Sequence, residues 1–391
     1  MTLRRKLAIF AILSTVALVS IAVVLEGGAR MMGIRAGRRR VFDAQRGWTY
    51  VPNTVFQYIS TKGRIIASVD GEGFRPTVAG ADQADAPALV CLGDSYTFCG
   101  ESPDDRTWPE FMAREMARKG LPCRAVNRGV TGYSSIQSLV ALRHELRKSA
   151  GEAPPKGVLY LFCLNDPGEN FEPDRPHLDR AEFAGSPASI DMWKPKEHPP
   201  ADPPPRSLRV ILRELRSPSA FINALKTAVP NQSPAAFSAG AATYADLYGP
   251  TCREFLDSAV HQEGVRYALR ELRKECAARG VPLFVSSCVA PAWDRPGVAR
   301  QEFSDLVKWS RERMEAQVAD YNGAIDFLAR MAEEEGATFI DVRGCMDGMK
   351  YREYAAASDD WHFSEAANER IGKAIADRLF PHLAGTSAGT R

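Results

Sequence analysis

Five short apolar runs, each followed by a stretch with helical spacing, constrain this chain more than any other feature. Residues 88–92, 125–126, 158–164, 283–289 and 338–342 are bounded by turn residues and read as strands. Between them, Trp108, Phe111, Met112 and Met116 fall on one helical face after Thr107, with Gly120 as the stop signal. Ile136, Leu139 and Val140 start a second face, and Val265, Leu269, Leu272 and Cys276 make a third. Ile325, Leu328 and Met331 follow, then Ile371, Ile375 and Leu379. Regular strand and helix alternation predicts a parallel sheet covered on both faces with right-handed crossovers. The expected fold class is α/β, a three-layer α/β/α sandwich around a central, mostly parallel five-stranded sheet. At 391 residues and 45% hydrophobic content, the chain can bury such a core.

Three segments stand outside the alternation. Arg4, Arg5 and Lys6 precede an uncharged run over 7–25, which Glu26 ends. Nineteen residues at about 1.5 Å each approach the roughly 30 Å of a bilayer core. The run exceeds a typical signal-peptide core and Val23-Val24-Leu25-Glu26-Gly27 at its end offers no clean small-x-small site, so residues 1–40 are expected to form an uncleaved membrane anchor with basic flanks. Residues 41–86 show aromatic and Gly/Pro punctuation without periodicity and are expected as an irregular lead-in to a domain spanning 87–385. Within that domain, 167–256 forms an insertion in which six prolines fall among eleven residues from Pro195 to Pro205. Such density is incompatible with a sheet or helix interior, and a substrate cap and a surface excursion are both open readings.

Charge and cysteine usage exclude several classes. Fifty Lys+Arg against 48 Asp+Glu leave a formal charge of +2, without the basic footprint of a nucleic-acid binder. The eight cysteines (91, 99, 123, 163, 252, 276, 288 and 345) include no Cys-x-x-Cys pair and no Cys/His cluster, so no metal and no cofactor is expected. Cys91, Cys163 and Cys288 fall in or at the ends of apolar runs, where a thiol behaves as a small hydrophobe.

The sharpest chemical signal is Leu89-Val90-Cys91-Leu92-Gly93-Asp94-Ser95, a strand running straight into a Gly-Asp-Ser turn. A hydroxyl is thereby set at the carboxyl end of the first core strand, the edge where open α/β sheets bind ligands. A serine nucleophile needs a base. Of the histidines at 144, 177, 198, 261, 362 and 382, His362 differs in lying in Asp359-Asp360-Trp361-His362, with an aspartate three residues ahead of it and the last helix just after it. That spacing lets Asp359 orient the imidazole while its other nitrogen faces the serine. Two further turns end strands on the same edge: Asn127-Arg128-Gly129-Val130-Thr131-Gly132 and Cys163-Leu164-Asn165-Asp166. Gly132 permits close approach of a backbone N–H and Asn165 offers an amide, both suited to an oxyanion.

In this order, the four blocks resemble the SGNH (GDSL) hydrolase superfamily, over about residues 88–166 and 263–382. The resemblance implies a flavodoxin-like fold, Ser95 as nucleophile, and Asp359 and His362 as the rest of a triad. It also implies an oxyanion hole made by Gly132, Asn165 and the Ser95 N–H. Two positions depart from the pattern: Cys163 stands where the third block usually has Gly, reshaping the pocket floor, and Ala367 stands where Gly often follows the His. None of the five apolar runs leads into the strand-to-helix Gly-x-Ser-x-Gly elbow of α/β hydrolases.

The implied activity is serine-dependent ester hydrolysis on an acylated carbohydrate or lipid at the cell envelope. O-acetyl transfer to a cell-surface polysaccharide is the alternative, and a catalytically silent binding domain the third reading. Arg30, Arg35, Arg38, Arg39 and Arg40 outnumber the cations before the apolar run, and by charge alone would hold the domain on the cytoplasmic side. The resemblance instead places it outside the cytoplasm, tethered through residues 7–25.

Overall fold

Between α1 (Leu3–Met31) and the strands that follow it, the chain changes character. The computed structural model describes residues 3–31, 40–43, 45–60, 63–78, 85–149, 151, 153–170, 251–289, 298–357 and 360–385. Taken by itself, α1 is a 29-residue helix, and Phe10, Leu13, Leu18, Val23 and Val24 on it are exposed. Not every side chain of α1 is among the described ones. Within the described set, no helix is long and apolar enough to cross a membrane.

The five expected core strands are present as β5 (Ala88–Gly93), β6 (Arg124–Asn127), β7 (Gly157–Phe162), β8 (Leu283–Ser287) and β9 (Thr338–Phe339). They form one sheet of order β6-β5-β7-β8-β9 in which all four pairings are parallel. Strands β7 and β8 are buried along their whole length, as strands covered on both faces must be. On one face α3 (Trp108–Arg118) packs against α10 (Glu365–Ala384). On the other, α4 (Ser135–Lys148) packs against α6 (Ala259–Ala277), with α8 (Arg311–Glu334) alongside. The chain leaves β5 toward β6, then recrosses to β7 on the other side. The carboxyl ends of β5 and β7 therefore flank the switch point where such sheets open a crevice.

Strands β7, β8 and β9 stop two or three residues short of the apolar runs at their carboxyl ends, whereas β5 and β6 run one residue past theirs. Cys163, Leu164, Cys288 and Val289 lie past the last paired residues and are still buried. Apolar character there reflects burial under the site turns rather than sheet pairing.

The lead-in is not irregular. Residues 40–68 form two antiparallel ribbons, β1 (Arg40–Asp43) with β2 (Gly47–Tyr50), and β3 (Val55–Ser60) with β4 (Gly63–Ser68). Each strand is only four to six residues long, too short for its alternation to stand out from the surrounding punctuation, which is why periodicity did not reveal the ribbons. Here the packing is specific. Phe74 is fully buried between the guanidinium groups of Arg46 and Arg128, at 4.9 and 4.8 Å. Gln137 Nε2 donates to the Arg46 carbonyl (2.7 Å), and Tyr133 Oη to that of Trp48 (2.7 Å).

Of the 167–256 insertion, residues 171–250, with His177 and His198, lie outside the described residues. Its two margins are helical: α5 (Asp166–Glu169), and a segment over 251–257. The remaining elements are α2 (Ser95–Phe98), α7 (Val298–Val307), α9 (Tyr351–Tyr354), and the ribbon of β10 (Ala355–Ala357) with β11 (Asp360–Phe363).

Candidate active site

Ser95 opens α2, the four-residue helix that follows β5, and every residue of that helix is buried. Asp94 caps it: Oδ1 accepts from the Tyr96 N–H (2.9 Å), and the Asp94 carbonyl accepts from Phe98 (2.9 Å). The helix ends at once because Cys99 turns into the left-handed region (φ 50°), its N–H returning to the Ser95 carbonyl (2.9 Å). Ser95 thus sits at the crest of a tight strand-to-helix turn, only 7% exposed.

The block after β6 clamps that turn from the side. Asn127 Nδ2 donates to the Thr97 carbonyl (2.7 Å), while its Oδ1 accepts from the Gly129 N–H (2.9 Å). Gly129 is required by contact: a Cβ there would lie 2.6 Å from the Phe98 nitrogen, closer than any side chain tolerates. Gly132, with φ of +77°, completes the turn into α4. From the lead-in, Tyr50 packs on Phe98 (4.6 Å between ring centres), and Arg75 donates to the Ser102 carbonyl (2.9 Å).

His362 arrives on β11, 267 residues later in sequence, with its Nε2 2.8 Å from Ser95 Oγ. Its ring lies 5.1 Å from that of Tyr96, and Phe363 meets Tyr96 edge-on at 4.7 Å. Ser364 then caps α10 and ties the ribbon to α9, its hydroxyl donating to the Glu353 carbonyl (2.6 Å). The fully buried Asn368 bridges the two halves of the site. Its Nδ2 reaches Ser102 Oγ (2.8 Å) and the Phe363 carbonyl (3.3 Å), and its Oδ1 accepts from the Cys99 thiol (3.3 Å).

The site also holds two buried carboxylates, Asp94 and Asp166. Asp94 Oδ2 is 3.4 Å from Ser95 Oγ. Burial pushes the Asp94 carboxyl above its ordinary range, opposed by the Tyr96 N–H, the charge of His362, and hydrogen bonds from Cys163 and Asn165. Asp166 is pushed well above the ordinary range, first by burial and then by the charge of Asp94. It hydrogen-bonds the Tyr160 hydroxyl and accepts from the Cys163 N–H (3.3 Å).

The structure therefore brings together Ser95, His362, Asn165 and the turn carrying Gly132, while Asp359 lies outside the described residues. Asn165, just past β7, is half-buried, and its Oδ1 has no partner among the described residues. His144 and His261 are elsewhere, on α4 and α6, and His382 on α10 faces Phe284. Among the described residues no group of acidic, Cys and His side chains is arranged to hold a metal. Sequence reasoning gave no role to Asn127, Gly129 or Asn368. Asn368 carried a signal all the same, as a polar residue on the apolar stripe of Ile371, Ile375 and Leu379.

The chain is similar in part to several known esterases and lipases. A rat isoamyl acetate-hydrolyzing esterase 1 homolog is 28% identical over 131 residues, 34% of this chain and 42% of that protein, so the chain matches less than half the length of this relative. An extracellular lipase from Streptomyces rimosus is 12% identical with a TM-score of 0.40, covering 75% of this chain and 99% of the lipase. A catalytic mutant of the acetylxylan esterase Axe2 from Geobacillus stearothermophilus is 11% identical with a TM-score of 0.37, covering 78% of this chain and 96% of that one. The family match rests on none of these partial likenesses: the GDSL-like lipase/acylhydrolase model spans residues 91–370, well over half of the chain, and the chain belongs to that family.

Proposed function

We propose that this chain hydrolyses ester bonds through an acyl-enzyme, with Ser95 as nucleophile, His362 as general base and Asp359 as the carboxylate that orients the imidazole. The observation that carries this reading is the 2.8 Å contact between Ser95 Oγ and His362 Nε2 at the carboxyl edge of the sheet. His362 takes the hydroxyl proton as Oγ attacks the ester carbonyl. The oxyanion is met by the N–H groups of Ser95 and Gly132 and by Asn165, whose amide has two hydrogens and so can serve Asp94 and the oxyanion together. The imidazolium then protonates the leaving alcohol. Water, deprotonated by the same imidazole, releases the acid.

The proposed substrate is an acylated carbohydrate or lipid at the cell envelope. What supports an envelope setting is the uncharged run over 7–25 inside the 29-residue α1, near the roughly 30 Å a bilayer core demands. In this reading α1 is the anchor and the domain from Arg40 onward is extracytoplasmic. The rat relative's name points to a short acyl chain as the first to try.

The test uses the full chain, wild type beside Ser95→Ala, releasing p-nitrophenol from the acetate and butyrate esters, with and without sugar acceptors. Loss of release in the variant at unchanged folding supports the reading. Acylated acceptor in place of free acid moves it to O-acetyl transfer. Equal release from both proteins rejects Ser95 and favours the silent binding domain. Extraction at alkaline pH and protease accessibility in intact cells test the anchor and its orientation.

A further inference from the structure

We propose that Asn170 is a positioning residue for the oxyanion hole: its side-chain carbonyl ties the first turn of α4, just past Gly132, to α5, which begins just past Asn165. The proposal rests on Gly132 and Asn165 being the donors named above. It begins with strand order. Gly132 follows β6 and Asn165 follows β7, and β5, which leads into Ser95, lies between those two strands. Ladder hydrogen bonds therefore set each strand against β5 rather than against the other. Beyond the carboxyl edge, where the chain has left the sheet, the spacing of the two donors depends on contacts between turns.

Asn170 supplies such a contact. The first N–H groups of a helix have no acceptor within it. In α4 the capping box serves two of them: Gln137 Oε1 accepts from the Ser134 N–H (3.2 Å), and Ser134 Oγ from the Gln137 N–H (3.4 Å). The Ile136 N–H finds its acceptor on another element, at Asn170 Oδ1 (3.2 Å). Asn170 is fully buried, and its own N–H returns to the Asp166 carbonyl (3.1 Å), as that of Glu169 returns to Asn165 (3.0 Å). The short helix that opens on Asn165 is thus fastened to the turn that continues from Gly132.

A second tie runs beside the first. Tyr160 Oη, on β7, lies between Asp166 Oδ2 and Ser135 Oγ, the latter at 3.1 Å. With one proton to give, the phenol donates to Asp166 and accepts from the serine hydroxyl. Adjacent residues of α4, Ser135 and Ile136, are held in this way by the two ends of α5. Removing the Asn170 acceptor leaves the N–H of the fully buried Ile136 unpaired and frees the first turn of α4 to shift away from α5. A displacement of about 1 Å between reacting groups and their donors is enough to slow catalysis by one or two orders of magnitude.

The experiment compares full-length wild type, Asn170→Ala, Asn170→Asp, Tyr160→Phe and Asn165→Ala. For each, kcat and KM are measured on p-nitrophenyl acetate and on its thionoester, in which sulfur replaces the carbonyl oxygen, with melting curves alongside. A hole set for oxygen discriminates against the larger, weakly accepting sulfur, so the ratio of the two kcat values reads the placement of the donors. Asn170→Ala is expected to lower kcat on the oxygen ester about tenfold, to leave KM within about twofold, and to shrink the ratio. Asn170→Asp keeps an acceptor for Ile136, ionised or not, and gives up only Nδ2, which has no partner among the described residues. It restores kcat and ratio, while Tyr160→Phe shows a smaller loss of the same kind. Should the alanine protein not fold, Asn170→Leu, close to asparagine in shape, is the acceptor-free variant. Unchanged kcat in the acceptor-free protein overturns the proposal. So does a fall in kcat at constant ratio, or an aspartate variant as impaired as the acceptor-free one, since either points to packing alone. An unchanged ratio in Asn165→Ala sinks Asn165 as an oxyanion donor, an outcome read separately from the Asn170 comparison.

Discussion

The two halves of the site are built differently. Ser95 sits on a turn held from inside the sheet: a buried strand enters it, Asp94 caps it, Asn127 grips its carbonyl and Gly129 lies against its backbone. His362 sits on a two-stranded ribbon whose register shifts between Ala355 and Ala357, anchored by Ser364, Asn368 and the ring of Tyr96. One group is fixed by the core and the other is leaned against it. In the proposed mechanism the nucleophile lies on the turn fixed by the core, where charge must be stabilised, and the base lies on the two-stranded ribbon packed beside it.

The largest expected effect treats the halves as one unit. Ser95→Ala and His362→Ala should each reduce kcat/KM by about 10⁴-fold or more, and the double variant should lose no more than either alone, because each removal ends the same proton transfer. Additive losses, measured on one ester at one pH, would show that the two residues act separately. Next in size is Asn165→Ala, expected to cost about 10²–10³-fold in kcat with KM little changed, since an oxyanion donor acts only in the transition state. A rise in KM at constant kcat would assign Asn165 to substrate binding instead.

The contrast itself is tested by two asparagines. Asn127→Ala leaves the Thr97 carbonyl and the Gly129 N–H without their side-chain partner inside the core, and should cost about 2–4 kcal/mol of stability in denaturant unfolding. Asn368→Ala removes the bridge from Cys99 and Ser102 to the Phe363 carbonyl next to His362, and is expected to reduce kcat by about tenfold to a hundredfold. If Asn368→Ala lost stability alone while kcat held, the base would be positioned by the ribbon without help from α10.

The same division explains what the sequence made legible. Core strands and helix faces were readable because burial on both sides of a parallel sheet writes long apolar runs and clean stripes, as in β7 and in Ile371, Ile375 and Leu379. Gly-Asp-Ser was readable because the turn is local. The lead-in was not, because β1 to β4 owe their form to Tyr50 and Phe74 packing on Phe98, Arg46 and Arg128, partners that are distant in sequence or set by the docked ribbon itself. The approach of His362 was suggested only by Asp-x-x-His spacing, since nothing local brings residue 362 to residue 95. Cys163 read as a change of pocket shape, whereas the structure buries its thiol 3.3 Å from that of Cys288, a contact that depends on the register of β7 with β8.

The smallest effect concerns the second buried carboxylate. Because the folded state raises the affinity of Asp166 for its proton, the group's contribution to stability is fully present below the ordinary carboxylate range and is lost as pH rises through its raised folded value. A carboxamide cannot ionise, so Asp166→Asn escapes that loss while still accepting from the Tyr160 hydroxyl and the Cys163 N–H. Carboxyl and carboxamide alike leave one buried atom unpaired among the described residues, as Asp166 Oδ1 is now. The melting temperature of the variant should therefore fall level with or below wild type near pH 4, and exceed it by a few degrees at pH 8, a gap of order 1 kcal/mol. Melting curves whose difference does not change with pH would mean that Asp166 keeps its charge in the fold. The repulsion between Asp94 and Asp166 would then be borne by the network that also carries Ser95.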